Sequence, residues 1–239
     1  MRRPGRYNGK NAFFDEGALS IPDLYLIGDS TVTDNTPPFR GWGWALPELT
    51  APDVRVFNHA QSGRSSRSFR DEGLFAPVEE ALSPGDLLLI QFGHNDEKDD
   101  AARHTDPDSS FPELLGAYCD AAERKGALPV LITPVSRRYF IPGGDLLYTH
   151  GEYPLAIRTL AARRGLPLCD LKRLSRQLFL SLGAEKTAKL FVRLAPGEHP
   201  DFPDGHSDMT HFNAQGARVL AGLVAETLKT DERCRHFFR

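Results

Sequence analysis

Cysteine is scarce in this chain. Cys119, Cys169 and Cys234 are the only three among 239 residues, too few and too scattered for a disulfide framework or a zinc knuckle. Cys119 and Cys169 stand in the apolar contexts LGAYC and LPLC and read as small core residues. Long apolar runs are missing as well. No stretch approaches the roughly 18 residues that a membrane span needs. Behind the basic start MRRPGRYNGKNAFFDEG no apolar stretch of signal-peptide length follows. An excess of one charge is missing too, with 29 Lys and Arg against 32 Asp and Glu, a net −3. A nucleic-acid binder needs a broad basic face to displace counterions, so that partner class is excluded. The absences together predict a cytoplasmic protein with neither a membrane nor a nucleic-acid partner.

What is present is a globular composition, 40% hydrophobic and 26% charged, which excludes disordered and fibrous architectures. The length fits one large domain better than two small ones, and there is no internal repeat or low-complexity linker. Residues 1–22 are polar and Gly-rich and read as an N-terminal arm; residues 23–239 read as the domain. Short apolar runs at 24–27, 54–57, 86–92, 129–133 and 167–170 predict five strands. Helical spacing covers 42–49, 74–82, 111–125, 153–164, 172–182 and 213–229. Strands alternating with helices predict an α/β fold with a parallel sheet covered on both faces. In such sheets ligands bind beyond the carboxyl ends of the strands, so the residues that follow each strand carry the functional argument.

After the first strand comes Gly28-Asp29-Ser30-Thr31; after the second, NHAQSGRSSRSF at 58–69; after the third, Gly93-His94-Asn95-Asp96. SDMTHFN at 207–213 precedes the final helix. Each segment alone has an ordinary structural reading. Ser30 can cap a helix, Gly63 can supply a positive φ, Asn95 can hold a loop, Asp208 can cap the last helix, and His211 can be a surface residue. Together they suggest more. A serine hydroxyl becomes a nucleophile when a base takes its proton, and a histidine needs a carboxylate to fix its tautomer. The strand ends meet at one edge, so Ser30 can meet a histidine presented from the last loop. The spacing of Asp208 and His211 lets one turn present both. A tetrahedral oxyanion needs preorganised donors, which the amides of Ser30 and Gly63 and the Asn95 side chain can supply.

These residues resemble the SGNH (GDSL-type) hydrolase superfamily, whose four blocks occur in order as GDST at 28–31, the glycine of AQSGRSSRSF at 60–69, FGHND at 92–96 and DMTH at 208–211. Thr31 stands where the superfamily name implies leucine. With GRSSRSF, FGHNDEK, HTDP, LITPVSRRYF and THFNAQGA, the chain is similar to the rhamnogalacturonan acetylesterase group. The resemblance spans about 24–228. It implies a three-layer α/β/α sandwich with a five-stranded parallel, flavodoxin-like sheet and removal of acetyl groups from pectic sugars. It also implies Ser30 as nucleophile, Asp208 as orienting carboxylate and His211 as base, with Ser30, Gly63 and Asn95 forming the oxyanion hole. The G-x-S-x-G elbow of the α/β-hydrolases is absent around Ser30. Chemistry of this kind needs no metal and no cofactor.

Four competing readings have their own sequence features. His199, Asp204, His206, Asp208 and His211 form a dense run of metal-ligating residue types, but the first strand reads DLYLIGDS and lacks the Asp-x-His of a metallophosphoesterase. The hydroxyls and arginines of the GRSSRS loop at 63–68 suit a binding module with phosphate contacts, which leaves the co-occurrence of Ser30, Asn95, Asp208 and His211 unexplained. A short-chain lipid or thioester hydrolase needs an apolar groove, whereas the loops at 96–110 and 137–145 are polar. Another acetylated sugar, such as a xylan fragment, fits the same residues. An acidic oligosaccharide would call for local cations, for which Arg64, Arg137 and Arg138 are the substrate-binding candidates; alternatively they pair with acids such as Asp71, Glu72 and Asp145. Tyr139 and Phe140 can stack on sugar faces or cover the sheet edge. His94 reads as a structural neighbour of Asn95, and Trp42 and Trp44 as packing residues. The tail DERCRHFFR either packs on the domain or mediates assembly into a homo-oligomer.

Overall fold

Five short apolar segments set the frame of the computed structural model, which describes residues 22–239. Except for Pro22, the arm expected over residues 1–22 lies outside the described residues. β1 (Leu24–Gly28), β2 (Val56–Asn58), β3 (Leu87–Gln91), β4 (Leu128–Ile132) and β5 (Leu168–Cys169) form one sheet in the order β2-β1-β3-β4-β5, parallel throughout. Alternate side chains enter two cores. Leu24, Leu26, Leu87, Leu89, Val130 and Ile132 pack on one face, and Tyr25, Ile27, Leu88, Ile90 and Leu131 on the other. Burial on both faces explains why these strands read as continuous apolar runs rather than alternating ones. Pro129 is tolerated in β4 because β5 pairs only from Leu131 onward, leaving the proline with a neighbour on one side.

Helices cover both faces and give the expected three-layer α/β/α sandwich. α4 (Ser110–Arg124) and α5 (Tyr153–Arg164) pack on one side; α1 (Trp42–Ala45), α6 (Leu171–Ala188) and α7 (Ala214–Leu228) pack on the other. α3 (Ala76–Ala81) adds Val78 to the first of these layers. The helix expected over 42–49 is a four-residue helix followed by a 3-10 turn at Leu46–Glu48, because Pro47 cannot donate the hydrogen bond that would extend it. α6 runs past the expected end at Leu182 to Ala188, with Gly183 taking φ +74 at a kink. Among the described residues, no helix is long and apolar enough to cross a membrane.

Three elements, one helix and two strands, were not expected from the sequence. α2 (Ser66–Asp71) lies in the Ser-rich stretch read as a loop, and its capping explains the serines. The Ser65 hydroxyl accepts from the Ser68 amide at 3.1 Å, and the Ser68 hydroxyl accepts from the Ser65 amide at 2.9 Å. A separate antiparallel ribbon forms from β6 (Phe191–Leu194) and β7 (His206–Phe212). The C-terminal tail packs on the domain: Cys234 and Phe237 are buried, and Phe238 bridges to Thr50.

Candidate active site

The order β2-β1-β3 makes a switch point where connections leave β1 and β3 in opposite directions, and a crevice opens beyond the carboxyl ends of these strands. Ser30 stands two residues beyond the end of β1. Its neighbours anchor the turn from below. Asp29 is fully buried and accepts from the Thr31 amide at 2.9 Å and the Thr31 hydroxyl at 2.8 Å. Gln91, at the end of β3, donates to the Thr31 hydroxyl at 2.6 Å and accepts from the Trp42 indole at 2.8 Å. The turn closes through Val32 and Thr33 amides on the Asp29 carbonyl, with no helix following, so Ser30 is not a helix cap.

The histidine arrives from the ribbon, 181 residues later. His211 Nε2 lies 2.9 Å from Ser30 Oγ, and His211 Nδ1 lies 2.8 Å from Asp208 Oδ2. An ionised carboxylate only accepts, so Nδ1 carries the proton and Nε2 is left to accept from the serine hydroxyl. Asp208 and His211 were expected on one turn. They lie within β7, and a bulge does the work of the turn. Between the pairs Arg193–Ser207 and Phe191–Phe212, β6 contributes Val192 alone and β7 contributes residues 208–211. The surplus residues fold on Asp208 itself, whose Oδ1 accepts from the amides of Thr210 at 2.6 Å and His211 at 2.8 Å. Burial pushes the Asp208 carboxyl up, but the ring and amide of His211 and the amide of Thr210 outweigh it and hold the group well below the ordinary carboxylate range. His206 Nε2 also reaches Oδ2, at 3.2 Å.

Gly63 and Asn95 complete the near side of a cleft of about 520 Å³ lined also by Ser30, Asn35, Phe39, Lys98, His206 and His211. Gly63 takes φ +78, and a Cβ there would meet nothing within 4 Å, so conformation rather than crowding favours glycine. Asn95 is buried and gives one amide hydrogen to the Arg64 carbonyl at 3.0 Å, which leaves the second free. The loop that carries it is pinned by Asp96, a buried carboxylate accepting from Ser66 and from the Gly93 amide. Burial pushes that carboxyl up to about 6, against the hydrogen bonds that oppose it. Asn35 braces the opposite side, donating to the Ser30 carbonyl at 3.0 Å and accepting from Ser62 at 2.6 Å.

None of the three arginines expected to hold substrate lines the cleft. Arg64 places Nε and Nη2 on Glu72, at 2.9 and 2.7 Å. Arg137 pairs with Glu97 at 2.5 Å and donates to the carbonyls of His94 and Thr149. Arg138 turns toward the ribbon, with Nε 2.7 Å from the Asp208 carbonyl. The cations that do line the cleft are Lys98 and Arg103. Arg103 is held by Asp100 at 2.7 Å, whereas Lys98 has no salt-bridge partner among the described residues. His94 is buried beneath the Asn95 loop, its ring edge-on to His150 at 4.6 Å, and burial pushes it below the ordinary histidine value. Below it, Lys172 places its amine 2.7 Å from His150 Nδ1, and burial, followed by the charge of Arg137, pushes that amine down to about 7.

The geometry is that of a serine hydroxyl facing an imidazole whose tautomer a carboxylate fixes, in a cleft also lined by the Asn95 amide. Such a set can cleave an ester through a covalent acyl intermediate. The chain is also similar to known proteins. Residues 26–219 match the GDSL-like lipase/acylhydrolase family. Rhamnogalacturonan acetylesterase RhgT of Bacillus subtilis (strain 168) is 44% identical over 209 residues, 86% of this chain and 89% of that protein. The probable rhamnogalacturonan acetylesterase YesY of the same organism is 36% identical, across 86% of this chain and 92% of that protein. The crystal structure of Bacillus subtilis YxiM superposes with a TM-score of 0.75 at 30% identity, covering 87% of this chain and 56% of that longer one.

Proposed function

The chain belongs to the GDSL-like lipase/acylhydrolase family, and from that premise we propose that it is a carbohydrate acetylesterase removing O-acetyl groups from rhamnogalacturonan-type pectic oligosaccharides, with Ser30, His211 and Asp208 as nucleophile, base and orienting carboxylate. The observation that carries the mechanism is the unbroken line from Ser30 Oγ through the His211 ring to Asp208 Oδ2, at 2.9 and 2.8 Å. Nε2 takes the hydroxyl proton as Oγ attacks the acetyl carbonyl, and the imidazolium that forms is balanced by the Asp208 carboxylate. The oxyanion meets the amides of Ser30 and Gly63 and the free hydrogen of Asn95 Nδ2. His211 then protonates the departing sugar oxygen, and water repeats the sequence on the acetyl-enzyme.

The cleft supports a sugar rather than a long acyl chain. Asn35, Thr36, Ser62 and Asn95 give it polar walls, and Phe39 stands edge-on to His211 at 5.9 Å. Lys98, three residues beyond Asn95, suits the carboxylate of a uronic acid next to the acetylated ring. Acetate release from acetylated rhamnogalacturonan oligosaccharides, measured beside acetylated xylan oligosaccharides, tests the substrate. The expected preference for the pectic substrate is at least about tenfold in kcat/KM, the scale of one net hydrogen bond to a charged group. Equal or reversed rates would redirect the assignment to another acetylated sugar. Release that survives in Ser30→Ala would remove Ser30 as the nucleophile.

A further inference from the structure

The bulge that presents Asp208 and His211 has a cost that its own residues do not cover. Four residues of β7 face one of β6, so the carbonyls of Asp208 and Met209 lie outside the register of the ribbon. The amides of Thr210 and His211 are satisfied from within, by Asp208 Oδ1. The two carbonyls are satisfied from outside, both by one residue. The Arg138 amide donates to Met209 O at 2.9 Å, and the Arg138 guanidinium donates from Nε to Asp208 O at 2.7 Å. The same guanidinium reaches back from Nη2 to the Ser207 hydroxyl at 2.8 Å and lies over the Phe191 ring at 5.5 Å. It thus grips the chain on both sides of the Cα that bears the orienting carboxylate.

From this grip we infer that Arg138 is a positioning residue of the reaction, holding the 207–211 bulge in the one arrangement that places Asp208 under the His211 ring. The inference rests on the proposed roles of Asp208 and His211. A planar guanidinium can bond a carbonyl and a hydroxyl on adjacent residues at once; a lysine ammonium on a flexible stem cannot reproduce the fork. Arg138 does not line the cleft, so its loss leaves the substrate-binding walls in place. What changes is the direction in which the Asp208 carboxylate points, and with it the orientation and tautomer of the imidazole. That defect appears in the chemical step. The backbone bond from residue 138 to Met209 does not depend on the side chain and keeps the 138–148 segment attached in any variant.

The experiment compares Arg138→Met, Arg138→Lys and Asp208→Asn with the wild type on an aryl acetate, with melting curves for each. In Arg138→Met kcat is expected to fall about 10–100-fold, the scale of a displacement of around 1 Å at a reacting group, with KM within twofold of wild type. Millimolar guanidinium, far below denaturing concentration, is expected to restore part of kcat in Arg138→Met. Arg138→Lys is expected to stay well below wild type. By proton NMR the downfield signal of the His211 Nδ1 proton, shared with Asp208, is expected to weaken or broaden in Arg138→Met while the fold persists. If Arg138→Met is unfolded, Arg138→Lys and Ser207→Ala carry the test: each removes part of the grip, and unchanged kcat in both would overturn the inference. A raised KM at unchanged kcat would also overturn it, and would return Arg138 to substrate binding. If Asp208→Asn itself keeps full activity, the triad reading fails; if Asp208→Asn is crippled and Arg138→Met is not, only the positioning role fails.

Discussion

Replacing Asn95 by alanine separates the bond its amide makes from the oxyanion role proposed for it. One hydrogen bonds the Arg64 carbonyl at 3.0 Å and ties the β3 loop to the segment that carries Gly63. The other is left for the oxyanion. Loss of the first removes one partly buried hydrogen bond, worth about 1 kcal/mol net, and for a domain of this size that lowers the melting temperature by roughly 2–4 °C. Loss of the second removes one donor from the transition state, which typically costs about 10²–10³ in kcat, or 2.7–4 kcal/mol. The second effect exceeds the first severalfold, so Asn95→Ala is expected to be a folded protein of nearly normal stability with very little activity. The assay is turnover of an aryl acetate at saturating substrate, with circular dichroism melting of the same sample. Asn95→Asp sharpens the outcome, because a carboxylate facing the oxyanion repels it, and its kcat is expected to lie below that of the alanine variant. Turnover within about threefold of wild type in Asn95→Ala would show that the oxyanion is held without this side chain.

Two other perturbations follow from charge. Lys98→Met is expected to raise KM about three- to tenfold for oligosaccharides with a uronate beside the acetylated ring, the scale of one partly exposed charge-assisted contact; the same change on a neutral aryl acetate would refute the contact. Lys172→Met tests the buried amine through the pH dependence of stability. Its folded-state value of about 7 lies below the ordinary lysine value, so the unfolded chain binds more protons between pH 7 and 10 and wild-type stability gains from this group as pH rises through that window. Urea unfolding at several pH values should show the Lys172→Met advantage over wild type to be largest near pH 7 and to shrink by up to about 1.4 kcal/mol per pH unit toward pH 10. A gap that does not vary with pH would mean that the amine titrates normally.

The parallel sheet was legible because its strands are buried on both faces and so stand out as apolar runs such as LYLIG and LLLIQ. The β6–β7 ribbon was not. His206–Phe212 is polar along most of its length and half-buried, and a bulge breaks the alternation that marks a strand. α2 was read as a loop because serines at its start signal turns as readily as caps, and only the Ser65–Ser68 reciprocity decides between them. The residues that meet at the cleft were legible because the fold sends every strand end to one edge. Their support was not, since it runs between distant positions: Arg138 to Asp208, Gln91 to Trp42, Asp96 to Ser66. The arginines show the same limit. A sequence gives the number of guanidinium groups near a site, but Glu72, Glu97 and a backbone carbonyl decide whether any is free.

The two tryptophans of this chain have very different surroundings, and that difference has an optical use. Trp44 is flanked by the guanidinium groups of Arg40 and Arg218, at 4.9 and 4.8 Å from its ring, near the exposed Arg218–Glu48 pair. Trp42 is fully buried, and its indole N–H leads through Gln91 to the Thr31 hydroxyl, the residue after the nucleophile. Buried indole emission responds to the hydrogen bond at its nitrogen, so acylation of Ser30 that disturbs the Thr31 turn is read by Trp42 without a label. A Trp44→Phe protein would contain a single tryptophan, two hydrogen bonds removed from the turn that carries Ser30, and stopped-flow emission excited at the indole band could then follow formation and decay of the acyl-enzyme in real time.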